Sequence, residues 1–187
     1  MFILSSNLET INETKKILAF NFDMKDMREA DVISGIKITK INDGLRLSQE
    51  HYVEKIGYYD RKSVSIPYDT NTHLKKYLKH SVDQLRYAQI ISSLMYLMNS
   101  TRLNIAYATG RLSRYTQNPS KNHWAAIDRL ARYLRGTIDY RLNYNSALPV
   151  LEGYSDANWI SGFNEIKSTS GYIFTLGGGA VYWISPK

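Results

Sequence analysis

The side chains best equipped for chemistry in this 187-residue chain are its arginines. Between Arg102 and Arg141 stand eight basic residues, Arg102, Arg111, Arg114, Lys121, Arg129, Arg132, Arg135 and Arg141, against two acids, Asp128 and Asp139. That local excess of six makes up nearly all of the formal net charge of +7. Seven of the eight are Arg, whose planar fork grips a phosphate at two points, and Tyr115, Trp124, Tyr133 and Tyr140 are interleaved among them. Arg129, Arg132 and Arg135 recur every third residue, so on a helix they form a slowly drifting basic ridge beside an apolar stripe. Such a ridge can follow a phosphate backbone without reading its sequence. The plainer alternative is a solvated helix face.

Other chemistry is sparser. With no Cys there are neither disulfides nor Cys-ligated zinc, and the four His have no metal-ligand spacing. Gly177-Gly178-Gly179 lacks the Lys-Ser/Thr and the helix that follow a phosphate loop, so it predicts a hairpin turn. In His123-Trp124 the helical stripe puts Trp124 in the core and His123 beside a helix N-terminus, in a structural or capping role. Asp156 is a single carboxylate on a predicted strand, which by itself suggests a surface or capping residue.

The elements that must position these residues follow from periodicity. Met1 to Leu4 predicts a strand that begins abruptly, as an internal segment would. Leu8 to Phe20 is helical through Leu8, Ile11, the stem of Lys15 and Leu18, with Ile17 and Phe20 widening the face. Ala30 to Ile38 alternates and is β-branched, Asn42-Asp43-Gly44 is a turn, and Leu45 to Leu47 returns as a second strand. Ser48 can cap a helix carrying Tyr52, Val53 and Ile56, and Arg61 to Asn71 is a linker. Val82 to Asn99 places Leu85, Ala88, Ile91, Met95 and Met98 on one face, broadened by Leu94. A second helix spans about Leu103 to Arg114. In the third, Ser120 is the N-cap, Trp124, Ile127, Ala131 and Leu134 form the stripe, and Gly136 sits where a left-handed C-cap belongs. Leu151 to Trp159, Thr169 to Leu176 and Ala180 to Ile184 predict three strands. No stretch reaches the length of a membrane span and the N-terminus lacks a signal-peptide core, which suggests an intracellular protein, cytoplasmic or nuclear.

The string LMYLMNSTRLNIAYATGRLSRYTQNPSKNHWAAIDRLARYLRGT, from Leu94 to Thr137, closely resembles the region after the polymerase palm in copia-type retrotransposon Pol polyproteins. FDMKDMREADVISGIKI, Phe22 to Ile38, is similar to the end of the palm in that family, and GYSDANW with KSTSGYIFTLGGGAVYW, Gly153 to Trp183, resembles the opening strands of its RNase H. The resemblance implies an α+β chain in three parts. Residues 1–62 would end the palm with a helix and β-hairpin, 63–147 would be a helical thumb and connection, and 148–187 would supply a three-stranded antiparallel piece of an RNase H-like sheet. Leu103 stands where the family usually has Pro, Met27-Arg28 where it has Leu-Gly, and Ser34 where a Leu precedes Gly35. These departures are expected to remove a fixed φ, put bulk in a turn and weaken an apolar strand position.

The resemblance also implies Mg²⁺ chemistry in the parent family. Its polymerase aspartates would lie upstream of Met1, and no Asp-Asp pair occurs in this sequence. Asp156 takes the place of the first RNase H carboxylate, and after it the only acid is Glu165. The expectation is therefore a truncated fragment with no enzymatic activity and no cofactor of its own. What it retains is weak, non-specific binding to nucleic acid such as an RNA:DNA duplex. Arg132-Tyr133-Leu134-Arg135 also resembles the Arg-x-Leu-Arg entry signal of oomycete effectors, so a secreted effector-like protein is an alternative. A part of an active polyprotein, completed by flanking segments, is another.

Overall fold

Two of the β-hairpins turn on a pair of residues with positive φ, Ser34-Gly35 and Gly177-Gly178. The computed structural model describes residues 3, 5, 7–56, 62–69, 71–72, 74–76, 83–147, 150–158 and 169–185. Met1, Phe2 and Leu4 of the first expected strand, the end of the one expected at Trp159, and Glu165 lie outside the described residues. The chain divides into two compact units, 1–31 and 32–187. In the first, α1 (Leu8–Asn21) opens on Asn7, whose side chain accepts from the Glu9 N–H at 2.8 Å, which satisfies one free amide of the first turn. Lys15 Nζ meets Asp26 Oδ2 at 3.1 Å, and Asp26 Oδ1 accepts from the Arg28 N–H at 2.8 Å. Arg28 itself sits at φ 64°.

The second unit begins with β1 (Val32–Ile33), β2 (Ile36–Ile41) and β3 (Gly44–Ser48). The single strand expected from Ala30 to Ile38 is a tight hairpin instead, because Ser34 and Gly35 adopt φ 50° and 75° and reverse the chain. Ser34 is thus a turn residue, not an apolar strand position. A short α2 (Glu50–Lys55) follows, and Gln49, not Ser48, stands at its N-cap, with no side-chain cap bond. Sheet A closes with β4 (Leu142–Asn145), antiparallel to β3, so its order is β1-β2-β3-β4. Sheet B is β5 (Leu151–Asn158), β6 (Thr169–Leu176) and β7 (Gly179–Ile184), in that order. The expected glycine turn joins β6 to β7, with Gly177 and Gly178 at φ 58° and 77°. Gly177 is also a close approach, since a Cβ there would fall 2.4 Å from Asn145 O. Asn145 N–H donates to Gly177 O at 2.8 Å and the Tyr144 hydroxyl to Ala180 O at 2.6 Å, which ties β4 to sheet B.

The core lies among three helices, α3 (Gln84–Ser100), α4 (Ala106–Ser113) and α5 (Lys121–Gly136), with a 3-10 turn at Leu103–Ile105 between the first two. Tyr87, Ile91, Leu94 and Leu97 of α3 meet Ile105, Ala108 and Leu112, and Ile127, Leu130 and Leu134 of α5. The inward face of α3 is rotated from the expected one: Leu85 is exposed, and Tyr87 takes the first inward turn with its hydroxyl donating to Leu112 O at 2.9 Å. Gly136 is not a left-handed C-cap, for α5 runs through it to Thr137. Among the described residues no helix is long and apolar enough to cross a membrane.

Candidate nucleic-acid interface

Helix α5 starts where Ser120 and His123 form a reciprocal cap. The Ser120 N–H donates to His123 Nδ1 at 2.8 Å, and the His123 N–H donates to Ser120 Oγ at 3.4 Å. The expected capping role of His123 is present, and Trp124 packs against the core as expected, though His123 is the more deeply buried of the two. His123 is buried and stacks on Tyr115 at 4.0 Å, whereas Trp124 is half-buried, edge-on to Tyr87. Burial holds the His123 imidazole below its ordinary pKa, against a backbone hydrogen bond at Lys75 that favours the charged form.

From that start the helix buries Ile127, Leu130, Ala131, Tyr133 and Leu134, leaves Arg129 and Arg132 half-buried with the Nε of each enclosed, and exposes Arg135. Arg129 Nη1 lies 3.8 Å from Asp69 Oδ2, and Arg132 Nε lies 3.7 Å from Asp128 Oδ2. Both distances exceed hydrogen-bond length, and the two arginine side chains keep 31% and 28% of their exposure, so these are loose pairs from which a phosphate can recruit the guanidinium. Arg135 is exposed one turn further on. Lys121 is exposed in the first turn of the same helix. Arg111 on α4 and Arg114 just past its end are half-buried, each with interactions of its own. Arg141, beyond α5, is exposed and pairs with Glu50 Oε2 at 3.1 Å.

Arg102 departs from the expected set. It is 2% exposed, its Nη1 donates to Thr137 O at 2.7 Å, Nη2 to Thr137 Oγ1, and Nε to Asn104 Oδ1 at 3.3 Å. A guanidinium stays charged in proteins, so a buried one needs such acceptors, and N–H donors engaged in this way are not available to a phosphate. Its position between a buried Thr101 and the 3-10 turn, rather than on a helix face, is what the charge count alone missed. Burial lowers its pKa, while Tyr133, Tyr140 and Asp139 oppose that shift.

Asp156 lies on β5, opposite Gly171 of β6, and is exposed. One carboxylate is less than a two-Mg²⁺ centre requires, and among the described residues no group of three or more His, Asp or Glu gathers. In the Arg132–Arg135 tetrapeptide that resembles the effector signal, Tyr133 and Leu134 are in the core, 7% and 1% exposed, while Arg132 is half-buried and Arg135 exposed.

Residues 1–68 match the family model for reverse transcriptase (RNA-dependent DNA polymerase), which sets the class. The chain is 37% identical over 198 aligned positions to the retrovirus-related Pol polyprotein from transposon TNT 1-94 of Nicotiana tabacum, with 99% of this chain and 15% of that protein covered. To the Pol polyprotein from transposon RE2 of Arabidopsis thaliana it is 31% identical, with 100% of this chain and 13% of that protein covered. A protein named secreted RxLR effector protein 161, from Plasmopara viticola, is 43% identical over 102 residues, which are 54% of this chain and 72% of that protein. No solved structure matches. The chain belongs to the copia-type retrotransposon Pol family and spans about 15% of the length of the tobacco relative.

Proposed function

We propose that these 187 residues are the nucleic-acid-holding part of a Pol polyprotein, comprising the end of the palm, a helical thumb and connection, and the start of an RNase H-like sheet. Their α5 ridge grips the phosphates of an RNA:DNA hybrid without reading its bases. The observation that carries this reading is the form of Arg129 and Arg132: each is oriented by a carboxylate yet held too loosely to be saturated, with Arg135 exposed beyond them. Arginines so placed give sequence-independent affinity that falls with salt. On this reading the segment works inside the cell and neither polymerises nor cleaves by itself, because the carboxylates that hold Mg²⁺ in the parent family are not all among its residues. Joined to flanking segments it would position the template for their chemistry. The effector reading rests on the Arg132-Tyr133-Leu134-Arg135 tetrapeptide and on the name of one relative, and the burial of Leu134 speaks against it.

The test is fluorescence anisotropy of a labelled RNA:DNA duplex titrated with the full chain at several salt concentrations, followed by incubation with Mg²⁺. Weak binding that declines steeply with salt, with the duplex left intact, is the expected result. Salt-independent binding, no binding at low salt, or strand cleavage would refute the reading.

A further inference from the structure

Resting on the phosphate-holding role of α5, we propose that Tyr140 is a stacking platform for an unpaired nucleobase and that Arg102 is the residue that holds it in place. Tyr140 is a large aromatic side chain left 53% exposed just beyond the helix end. It is nevertheless fixed from two directions. Its N–H donates to Thr137 O at 3.1 Å, the same carbonyl that Arg102 grips, and the Arg102 guanidinium lies 5.5 Å from the centre of its ring. Arg102 is anchored in turn by Thr137 Oγ1 and Asn104, so the cation under the ring is itself immobile. A guanidinium against a tyrosine face is an attractive cation–π contact. With the cation on one side, the exposed area belongs to the remaining face and edge.

An exposed, pre-ordered π-face is what sequence-tolerant base stacking needs, since every base offers a flat surface and little side-chain entropy remains to be lost. The chain neighbours suit that ligand: Arg135 is exposed in the last turn of α5, and Arg141, which follows directly, is an exposed arginine whose Glu50 pair a phosphate would have to compete with. The acids beside the site are Asp139 and Glu50, the partner of Arg141. A closed duplex presents no free base, so the platform would separate single-stranded from paired nucleic acid while the ridge binds both.

The experiment compares a short oligothymidylate with an abasic deoxyribose-phosphate chain of equal length, each titrated with the full chain. The expected result is oligothymidylate binding about fivefold or more tighter than the abasic strand. Tyr140→Leu should erase that ratio and leave affinity for the abasic strand and for an RNA:DNA duplex unchanged, and Tyr140→Phe should keep it. Equal affinity of the unaltered chain for both strands overturns the platform while the ridge stands. Equal weakening of both strands by Tyr140→Leu assigns Tyr140 a structural role and also overturns it. No binding to either strand refutes the ridge reading, and the platform with it.

Discussion

A guanidinium at 2% exposure must find all its acceptors within the protein, and Arg102 finds them at the end of α5. Arg102→Leu is therefore expected to destabilise the chain by about 2–4 kcal/mol, because it strips two charge-assisted hydrogen bonds from Thr137, whose O keeps only the Tyr140 N–H and whose Oγ1 keeps only Tyr133 O, and leaves a poorly filled space. Chemical denaturation measures this directly. His123 is the other buried charge-capable group whose state matters. Its folded pKa is depressed, so on acidification the unfolded chain takes up the proton first, and stability declines as pH falls through the ordinary histidine value of about 6.5. His123→Gln keeps an acceptor for the Ser120 N–H and has nothing to titrate. Denaturation midpoints at pH 7.5 and pH 5 should converge in that variant relative to the unaltered chain; an unchanged gap would place the acid sensitivity elsewhere.

At the scale of elements, what the sequence made legible was whatever short-range chemistry decides. The Gly177-Gly178 turn, the Asn42-Asp43-Gly44 turn and the Ser120 cap each rest on residues within a few positions, and all three are present. Strand β4 was not foreseen: its sequence Leu-Asn-Tyr-Asn has no clear alternation, and it becomes a strand by pairing with β3 about a hundred residues earlier. The inward face of α3 was misplaced for a similar reason, since neighbouring stripes share a helical period and tertiary packing chose Tyr87 over Leu85. The alternation that made residues 30–38 look like one strand hid the Ser34-Gly35 turn. Ser34 adopts a left-handed conformation that Asn accepts more readily, and Asn-Gly is the favoured pair for this kind of turn. Ser34→Asn should stabilise the chain by about 0.5–1 kcal/mol, seen as a rise of roughly 1–4 °C in Tm. A fall would mean that the Tyr96 hydroxyl bond to Ser34 O depends on Ser itself.

At the scale of the molecule, the two sheets meet through β4 and β7, and sheet A draws strands from residues 32–48 and 142–145. The helices between them are thus an insertion whose ends are pinned by one sheet. Of the basic residues visible in the sequence, the structure keeps Arg129, Arg132 and Arg135 on one helix, engages Arg141 with Glu50, and withdraws Arg102 altogether. Charge counting picks out a segment; burial, a tertiary property, sorts its members.

The measurement that bears most directly on this account is the slope of log affinity against log salt for an RNA:DNA duplex, compared between the unaltered chain and the Arg129→Gln, Arg132→Gln, Arg135→Gln triple variant. If α5 holds phosphates, the variant binds more weakly and its slope is shallower by as much as about one for each arginine lost. An unchanged slope with folding intact would contradict the claim that this helix is the nucleic-acid-holding element.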